Sequence, residues 1–230
     1  MTVAATKPSG FARRIESLSQ GVRYRRASTT AEHDALGRLR YVANLREGTI
    51  GPDPSETLRD AFDEADACFN MGIYLDDRLV GTLRVVSVGP DFPRSVLAGA
   101  YPDIINPLIE KGTRIADVSR LAIDFDASRN YPGLAYIAMR LVFMAADHIR
   151  ADHIMAGVRR EHIPFYMREF RATALTEPRP YPTLVKPLVL FDVDWPTRRP
   201  QVMAHRPFYD STQAERCDVF GTAKARSSAI

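Results

Sequence analysis

The sequence predicts an α+β fold, a three-layer αβα sandwich around a mixed, mostly antiparallel central sheet. Two observations predict it. A hairpin pattern at residues 73–88 makes the early strands antiparallel, and a strand–helix–strand unit occupies residues 115–158. A doubly wound parallel fold would alternate strands and helices regularly along the whole chain. The 230 residues, 45% of them hydrophobic, suffice for one sizeable core.

The first elements are two helices on either side of a strand. Apolar residues spaced i, i+4, i+7 from Phe11 predict a short helix that stops at Gly21. Residues 22–27 alternate as a strand does, and residues 29–32 have the spacing of a capping box. The capping box opens a helix that runs to about Glu47.

The middle of the chain combines a hairpin with a charged strand. A second short helix is predicted over residues 55–66, and the hairpin turns at residues 76–78. Residues 89–113 contain many Pro and Gly residues, with one helical turn at 104–110, and residues 115–124 form a strand.

The remaining elements alternate. Residues 133–150 are apolar on nearly every side, which predicts a central helix. Residues 153–158 form a buried strand, 163–170 a short helix and 184–193 the last strand.

These patterns predict three segments. Residues 1–21 form an N-terminal tail and short helix, residues 22–194 one domain, and residues 195–230 a peripheral or flexible tail that contains Pro and Arg. Residues 1–10 are small and polar, and we expect them to be disordered. No stretch is apolar enough for a signal peptide or a membrane span, so the sequence predicts a cytoplasmic protein.

Composition excludes several classes of protein. Cys68 and Cys217 are far apart and lack metal-ligand spacing, so we expect no disulfide framework and no metal site. The net charge of +3 is small and no basic–aromatic stripe accompanies it, so we expect no nucleic-acid partner.

The most informative stretch is a strand with polar residues and the turn that follows it. Asp117, Ser119 and Arg120 lie in the strand. Burying a charge without a partner costs several kcal/mol, so we expect the charged side chains here to be paired or to have a function. Arg129 and Gly133 then lead into a helix N-terminus, which suits a phosphate. The same residues equally fit an edge strand followed by an ordinary turn.

Together these features resemble a known family. They include residues 24–26, 39–41, 45–50, 81–84, 119–122, 162–168 and 178–182, and the likeness runs from about residue 22 to 194. The core resembles the GNAT acyltransferase superfamily, and the whole layout resembles the N-acyl amino acid synthases and the related acyl-homoserine-lactone synthases. The resemblance implies a GNAT-like sandwich whose sheet is splayed at the acyl-donor site.

The resemblance also implies a reaction. A long acyl chain, carried as a thioester on the pantetheine arm of acyl carrier protein or CoA, is transferred to the amine of an amino acid without a covalent acyl-enzyme. The acyl-pantetheine is a co-substrate, and no permanently bound cofactor is expected. Two alternatives stay open: an acetyl-CoA-dependent acetyltransferase, and an inactive member that binds acyl ligands.

Asp117, Ser119 and Tyr166 are the candidate catalytic residues. Asp117 and Ser119 share one strand face, while Arg120 points away unless a bulge intervenes. A carboxylate near the acceptor serves as base or orients the amine, and a tyrosine can protonate the leaving thiolate. Asp117 equally suits an ion pair with Arg84, and Tyr166 a place in the core.

Four residues are candidates for binding the amino acid. Arg84 and Arg40 suit its carboxylate, since a guanidinium offers two parallel hydrogen bonds. Asp63 and Asp66 lie three apart on one predicted helix face, and the resemblance implies that acidic residues here contact the cationic substrate. Solvated helix charges are the alternative for Arg40 and for both carboxylates.

Arg129 and the turn Gly133, Leu134 and Ala135 are the candidate phosphate site for the pantetheine donor. Six basic residues also suggest a rim for an acidic carrier protein: Lys111, Arg114, Arg159, Arg160, Arg168 and Arg171. An ordinary solvated arginine face is the alternative.

Overall fold

The computed structural model of the chain describes residues 10–221. The sequence predicts disorder for residues 1–10, and all of these except Gly10 lie outside the described part. The helices are α1 (Gly10–Gly21), α2 (Thr30–Arg46), α3 (Val96–Ala100), α4 (Pro102–Glu110), α5 (Phe125–Asn130), α6 (Leu134–Ile149), α7 (Ile163–Phe170), α8 (Trp195–His205) and α9 (Gln213–Phe220). The strands are β1 (Val22–Arg26), β2 (Cys68–Leu75), β3 (Arg78–Val88), β4 (Ile115–Ile123), β5 (His153–Val158), β6 (Thr173–Ala174) and β7 (Val189–Asp194).

The strands form one seven-stranded sheet in the order β1-β2-β3-β4-β5-β7-β6. Only the β4–β5 pair is parallel within it, and all its other neighbours are antiparallel. Helices cover both faces: α6 packs on one with the larger apolar core, and α2, α3 and α4 lie on the other. The predicted α+β fold with a mixed, mostly antiparallel sheet is confirmed.

One predicted helix is wrong. Residues 55–66 contain no α-helix, and a short 3₁₀ turn covers Ala61–Glu64. The Leu58 N–H donates to the Gly37 carbonyl at 3.0 Å, and Asp60 binds two arginines of the sheet. These long-range contacts hold the segment against α2 and the sheet, so it does not form an α-helix.

The segment after residue 194 also differs from the expected tail, because its described part forms α8 and α9. Trp195 and Phe220 are buried on α6. Asp147 of α6 accepts from the Trp195 indole at 2.8 Å, and Arg140 of α6 binds Glu215 at 2.7 Å. Long-range ion pairs and isolated apolar anchors hold this region, so local periodicity does not reveal it.

Within residues 10–221, no helix has both the length and the apolar character needed to cross a membrane. The same residues contain no cluster of three or more His, Cys, Asp or Glu side chains arranged to bind a metal ion.

Candidate active site

The parallel strands β4 and β5 separate at their C-terminal ends. They pair from Ile115–His153 to Val118–Ala156 and no further, although β4 continues to Ile123. A cavity of about 390 Å³ occupies this opening. Residues of β4, β5, α2, α7 and the segment 181–188 line it, so every layer of the fold contributes to its wall.

A bulge turns the side chain of Arg120 to the face that carries Asp117 and Ser119. The pairing of β3 with β4 shifts between Thr82 and Arg84, and Arg120 has a left-handed φ of 56°. Arg120 donates from Nη2 to Oδ2 of Asp60 at 2.6 Å. The extra residue re-aims the strand, as bulges beside functional sites do.

Behind this wall lies a buried network of charges. Asp63 Oδ1 accepts from Arg40 at 2.9 Å and from Arg84 at 3.0 Å, and all three side chains are at most 2% exposed. Arg84 also binds Asp60 at 2.6 Å and donates from Nε to the Ser119 hydroxyl at 3.1 Å. Each guanidinium therefore faces a carboxylate, which offsets the cost of its burial.

Arg40 joins the network to the sheet interior. Its guanidinium donates to Asn70 and to the Thr82 hydroxyl, and Asn70 in turn contacts His33 at 2.8 Å. Arg40 is fully buried and does not line the cavity, whereas Arg84 does. Of the two arginines predicted to bind the substrate carboxylate, Arg84 is the one at the wall.

Asp63 and Asp66 do not share a helix face as the sequence suggests. Asp63 is buried between the two arginines, but Asp66 is exposed beyond the 3₁₀ turn. Asp60 is the second carboxylate of the network. Its spacing of three from Asp63, with Phe62 N–H donating to its side chain at 2.9 Å, is a capping signal that sequence reasoning missed.

Asp117 is the unusual acid of the site. It is 2% exposed and its Oδ1 has no hydrogen-bond partner. Burial raises the pKa of this carboxyl to about 6, although the Ser95 side chain, the charge of Arg84 and the Leu97 N–H act in the opposite direction. Asp117 lies behind Ser119 and Arg84 and is not itself on the cavity wall.

Two tyrosines complete the wall. Tyr166 of α7 packs against Phe170, with ring centroids 5.3 Å apart, and burial raises its pKa to about 12. Tyr181, which sequence reasoning gave no role, lines the same cavity; burial and the charge of Asp117 raise its pKa. Both phenols therefore keep their protons at neutral pH.

An apolar pocket of about 30 Å³ continues inward from the opening. Val118, Ala156 and Tyr166 line both it and the larger cavity, so the two spaces meet where the strands separate. The inner residues are all apolar: Met139, Val142, Phe143, Ile154, Phe170, Ala172, Phe191 and Val193.

The outer side of the cavity is covered by residues 181–188. The Val185 N–H donates to the Thr49 carbonyl at 2.9 Å, and Lys186 donates to the Glu47 carbonyl at 3.3 Å. Arg159 pairs with Glu47 from the β5 side. These bonds connect the cover to the C-terminal end of α2.

The predicted phosphate turn is built differently from expectation. Helix α5 separates β4 from α6, and Gly133 lies under α1: a Cβ there would come within 2.6 Å of Ile15 Cδ1. Packing of α1 thus explains the glycine. Leu134 is buried, Ala135 is half-buried, and Arg129 is exposed 5.6 Å from the Phe125 ring centroid. The phosphate role of these residues stays a prediction.

The predicted basic rim is divided between two ends of the sheet. Arg114 precedes β4, so Lys111 and Arg114 lie at the opposite end of that strand from the cavity. Arg168 is exposed and pairs with Glu169 at 3.0 Å, and Arg160 and Arg171 are exposed as well.

Comparison with known proteins identifies a matching family model and solved structures with a similar fold. Residues 35–194 match the model of the FeeM N-acyl amino acid synthases. FeeM itself, an N-acyl amino acid synthase from uncultured soil microbes, superposes with a TM-score of 0.67 at 21% identity, covering 82% of this chain and 98% of FeeM. A search of curated proteins gives no match.

Two further structures share the fold. BjaI, a CoA-dependent acyl-homoserine lactone synthase, gives a TM-score of 0.56 at 16% identity, covering 82% of this chain and 88% of its own. An acyl-CoA N-acyltransferase from Pseudomonas aeruginosa gives 0.50 at 17% identity, covering 74% and 97%.

Proposed function

The chain belongs to the family of FeeM N-acyl amino acid synthases and is an N-acyltransferase, and we propose that it moves a long acyl chain from a pantetheine thioester to the α-amine of an amino acid. One observation carries this proposal: the cavity between β4 and β5 continues into an apolar pocket in the core. An acetyl group needs no such continuation. The apolar continuation favours an acyl chain longer than acetyl, and the donor series described below separates the two alternatives.

The donor enters where the strands separate. Beyond Val118 and Ala156 the facing edges of β4 and β5 do not pair with each other, so an extended pantetheine arm finds free space between them. The acyl chain then points past Tyr166 into the apolar pocket. BjaI is CoA-dependent and its structure was also solved with isopentyl-CoA, so both CoA and a carrier protein stay within the proposal as donors.

The amine acceptor binds on the opposite wall. Arg84 and Arg120 present guanidinium groups there, and the substrate carboxylate competes with Asp60 for them. Asp60 is partly exposed, with 23% of its side chain accessible, so its ion pairs open more easily than those of Asp63.

The chemical step needs a proton acceptor and a proton donor. The neutral amine attacks the thioester carbon, its proton passes to the protein, and the C–S bond breaks to release a thiolate. Ionised Asp117, with an unpaired oxygen, is the acceptor we propose; Tyr181, whose pKa burial and the charge of Asp117 raise and which lines the cavity, is the group we propose to pass the proton from the amine. Tyr166, protonated at neutral pH, donates to the thiolate.

Two measurements test the function. Lipid mass spectrometry of an expressing host should find a new N-acyl amino acid, and purified enzyme should release thiol from acyl carrier protein or acyl-CoA when given the amino acid. Donors of two to sixteen carbons separate the long-chain proposal from the acetyl alternative. Absence of both the lipid and the turnover, with ligand binding retained, would instead support the inactive member.

A further inference from the structure

One exposed surface beside the cavity carries arginine and apolar side chains that have no role in the reaction proposed above. Arg38, Val42 and Arg46 are spaced four apart on α2, so they lie on one helix face. The Arg46 guanidinium lies 3.2 Å from the ring centroid of Phe125 on α5, which extends the surface to a second helix. We call these four residues the arginine face.

The arginine face is exposed and its cations are unpaired. Val42 is 64% and Phe125 38% accessible, so the arginines border exposed apolar surface. Arg38 and Arg46 form no ion pair with any residue of the described part 10–221, and Arg129 continues the cationic surface beside Phe125. Glu56 is the acid that shares the adjoining groove of about 460 Å³.

Its position connects it to the reaction. Ala43 and Asn44 of α2 line the cavity, together with Glu47 just after the helix, while Arg38, Val42 and Arg46 of the same helix line the outer groove. On α5, Ser128 lines the cavity and Phe125 contacts Arg46. The arginine face thus belongs to the two helices that border the cavity.

We infer that the arginine face docks an acidic helix of the carrier protein that delivers the acyl-pantetheine. Arg38 and Arg46 are about 12 Å apart along α2, which spans roughly two turns of a partner helix and exceeds a single phosphate group. Val42 and Phe125 offer the apolar contact between the two cations. The inference rests on the proposed function, and it moves carrier docking away from the basic rim that the sequence predicts.

Charge explains why this surface is preferred to that rim. Arg159 pairs with Glu47, and Arg168 shares Glu169 with Arg206, so part of the rim's charge is neutralised within the chain. Arg160 and Arg171 are the exposed arginines of the rim, and the control variant below tests them. Unpaired arginines act at longer range and accelerate association with an acidic protein.

Charge reversal tests the inference. In the full-length chain, Arg38→Glu with Arg46→Glu should raise the KM for acyl carrier protein about tenfold or more and reduce its salt dependence, while kinetics with acyl-CoA stay within about twofold. Arg160→Glu with Arg171→Glu is the matched control and should change neither donor's KM by more than about twofold. Val42→Ser should weaken carrier use without changing charge.

Direct binding keeps the docking test separate from the reaction. Fluorescence anisotropy with labelled holo-carrier protein, which has no acyl chain, measures docking without turnover. Weaker binding by the Arg38/Arg46 variant supports the inference even in an inactive enzyme. Unchanged carrier binding, equal loss with both donors, or loss confined to the Arg160/Arg171 control would overturn it.

Discussion

On the α2 side of the cavity, Arg84 and Arg120 bind Asp60, and Asp63 balances the charges behind them. On the β5–α7 side, Ala156 and Tyr166 lead into a pocket with only apolar lining. We call these the polar wall and the apolar wall. The polar wall is held by directional bonds and suits a charged amino acid, whereas the apolar wall is held by packing and suits an acyl chain. Under the proposed function, the two substrates meet where the walls join, at β4.

A single substitution should lower the free energy of unfolding more on the polar wall than on the apolar wall. Asp63→Asn leaves Arg40 and Arg84 buried with one carboxylate fewer, and breaking buried ion pairs costs about 3–5 kcal/mol. Denaturant unfolding measures this loss. Asp77→Asn, in an exposed pair with Arg25, is the control and should change the free energy of unfolding by less than about 1 kcal/mol. A loss below 1 kcal/mol for Asp63→Asn would show that the network is not structural.

Asp117 should reveal a conflict between stability and activity. Its folded pKa of about 6 exceeds the unfolded value near 3.9, so its contribution to stability is fully present below pH 4 and is lost as pH rises through 6. Asp117→Asn should therefore gain up to about 3 kcal/mol relative to the natural chain at pH 8, and little at pH 4.

The same variant tests catalysis. If Asp117 accepts the proton, kcat/KM of the natural enzyme rises with pH through about 6, and Asp117→Asn removes that limb and most of the rate. A variant with an unchanged pH profile and normal turnover would rule out the proposed base.

On the apolar wall, size rather than charge should decide the outcome. Ala156→Phe narrows the passage into the inner pocket, and each methylene it excludes costs about 0.8 kcal/mol, a loss of roughly fourfold in kcat/KM for long donors. Short donors should be nearly unaffected. Ala156→Val gives the intermediate case, and equal losses at every chain length would place the acyl chain elsewhere.

We expect the smallest effect from a substitution in residues 181–188, which cover both walls. Val185→Pro removes the N–H that donates to Thr49, and one such hydrogen bond contributes about 1 kcal/mol. Val185→Ala keeps the N–H and is the control, because this side chain is 68% exposed. Faster hydrogen exchange of residues 181–188 in the proline variant alone would confirm the tie, and identical exchange in both would refute it.

Predictability from sequence also differs between the two walls. The helix α6 and the strand β5 behind the apolar wall follow from continuous apolar periodicity, which is a local signal. The polar side of the site is predictable in part. Its sequence candidates include Arg84, Asp63, Asp117 and Ser119, and the structure brings these four residues together. The sequence points to Asp66 in place of Asp60, because its pattern favours a helix where the structure has a 3₁₀ turn.

Two other differences have the same origin. Gly133 has the spacing of a phosphate turn, but α1, more than a hundred residues away in the chain, occupies the space beside it. The helices after residue 194 depend on Asp147 and Arg140 of α6, which no local window contains.

By itself the sequence determined the order of the central elements, the α+β class and the residue types of the site, because these depend on periodicity and composition over short windows. The bulge that turns Arg120 toward Asp60, the burial that raises the pKa of Asp117, and the unpaired state of the arginine face depend on tertiary structure. Each of these requires knowing which distant side chain is a neighbour, and desolvation and ion pairing act through space rather than along the chain.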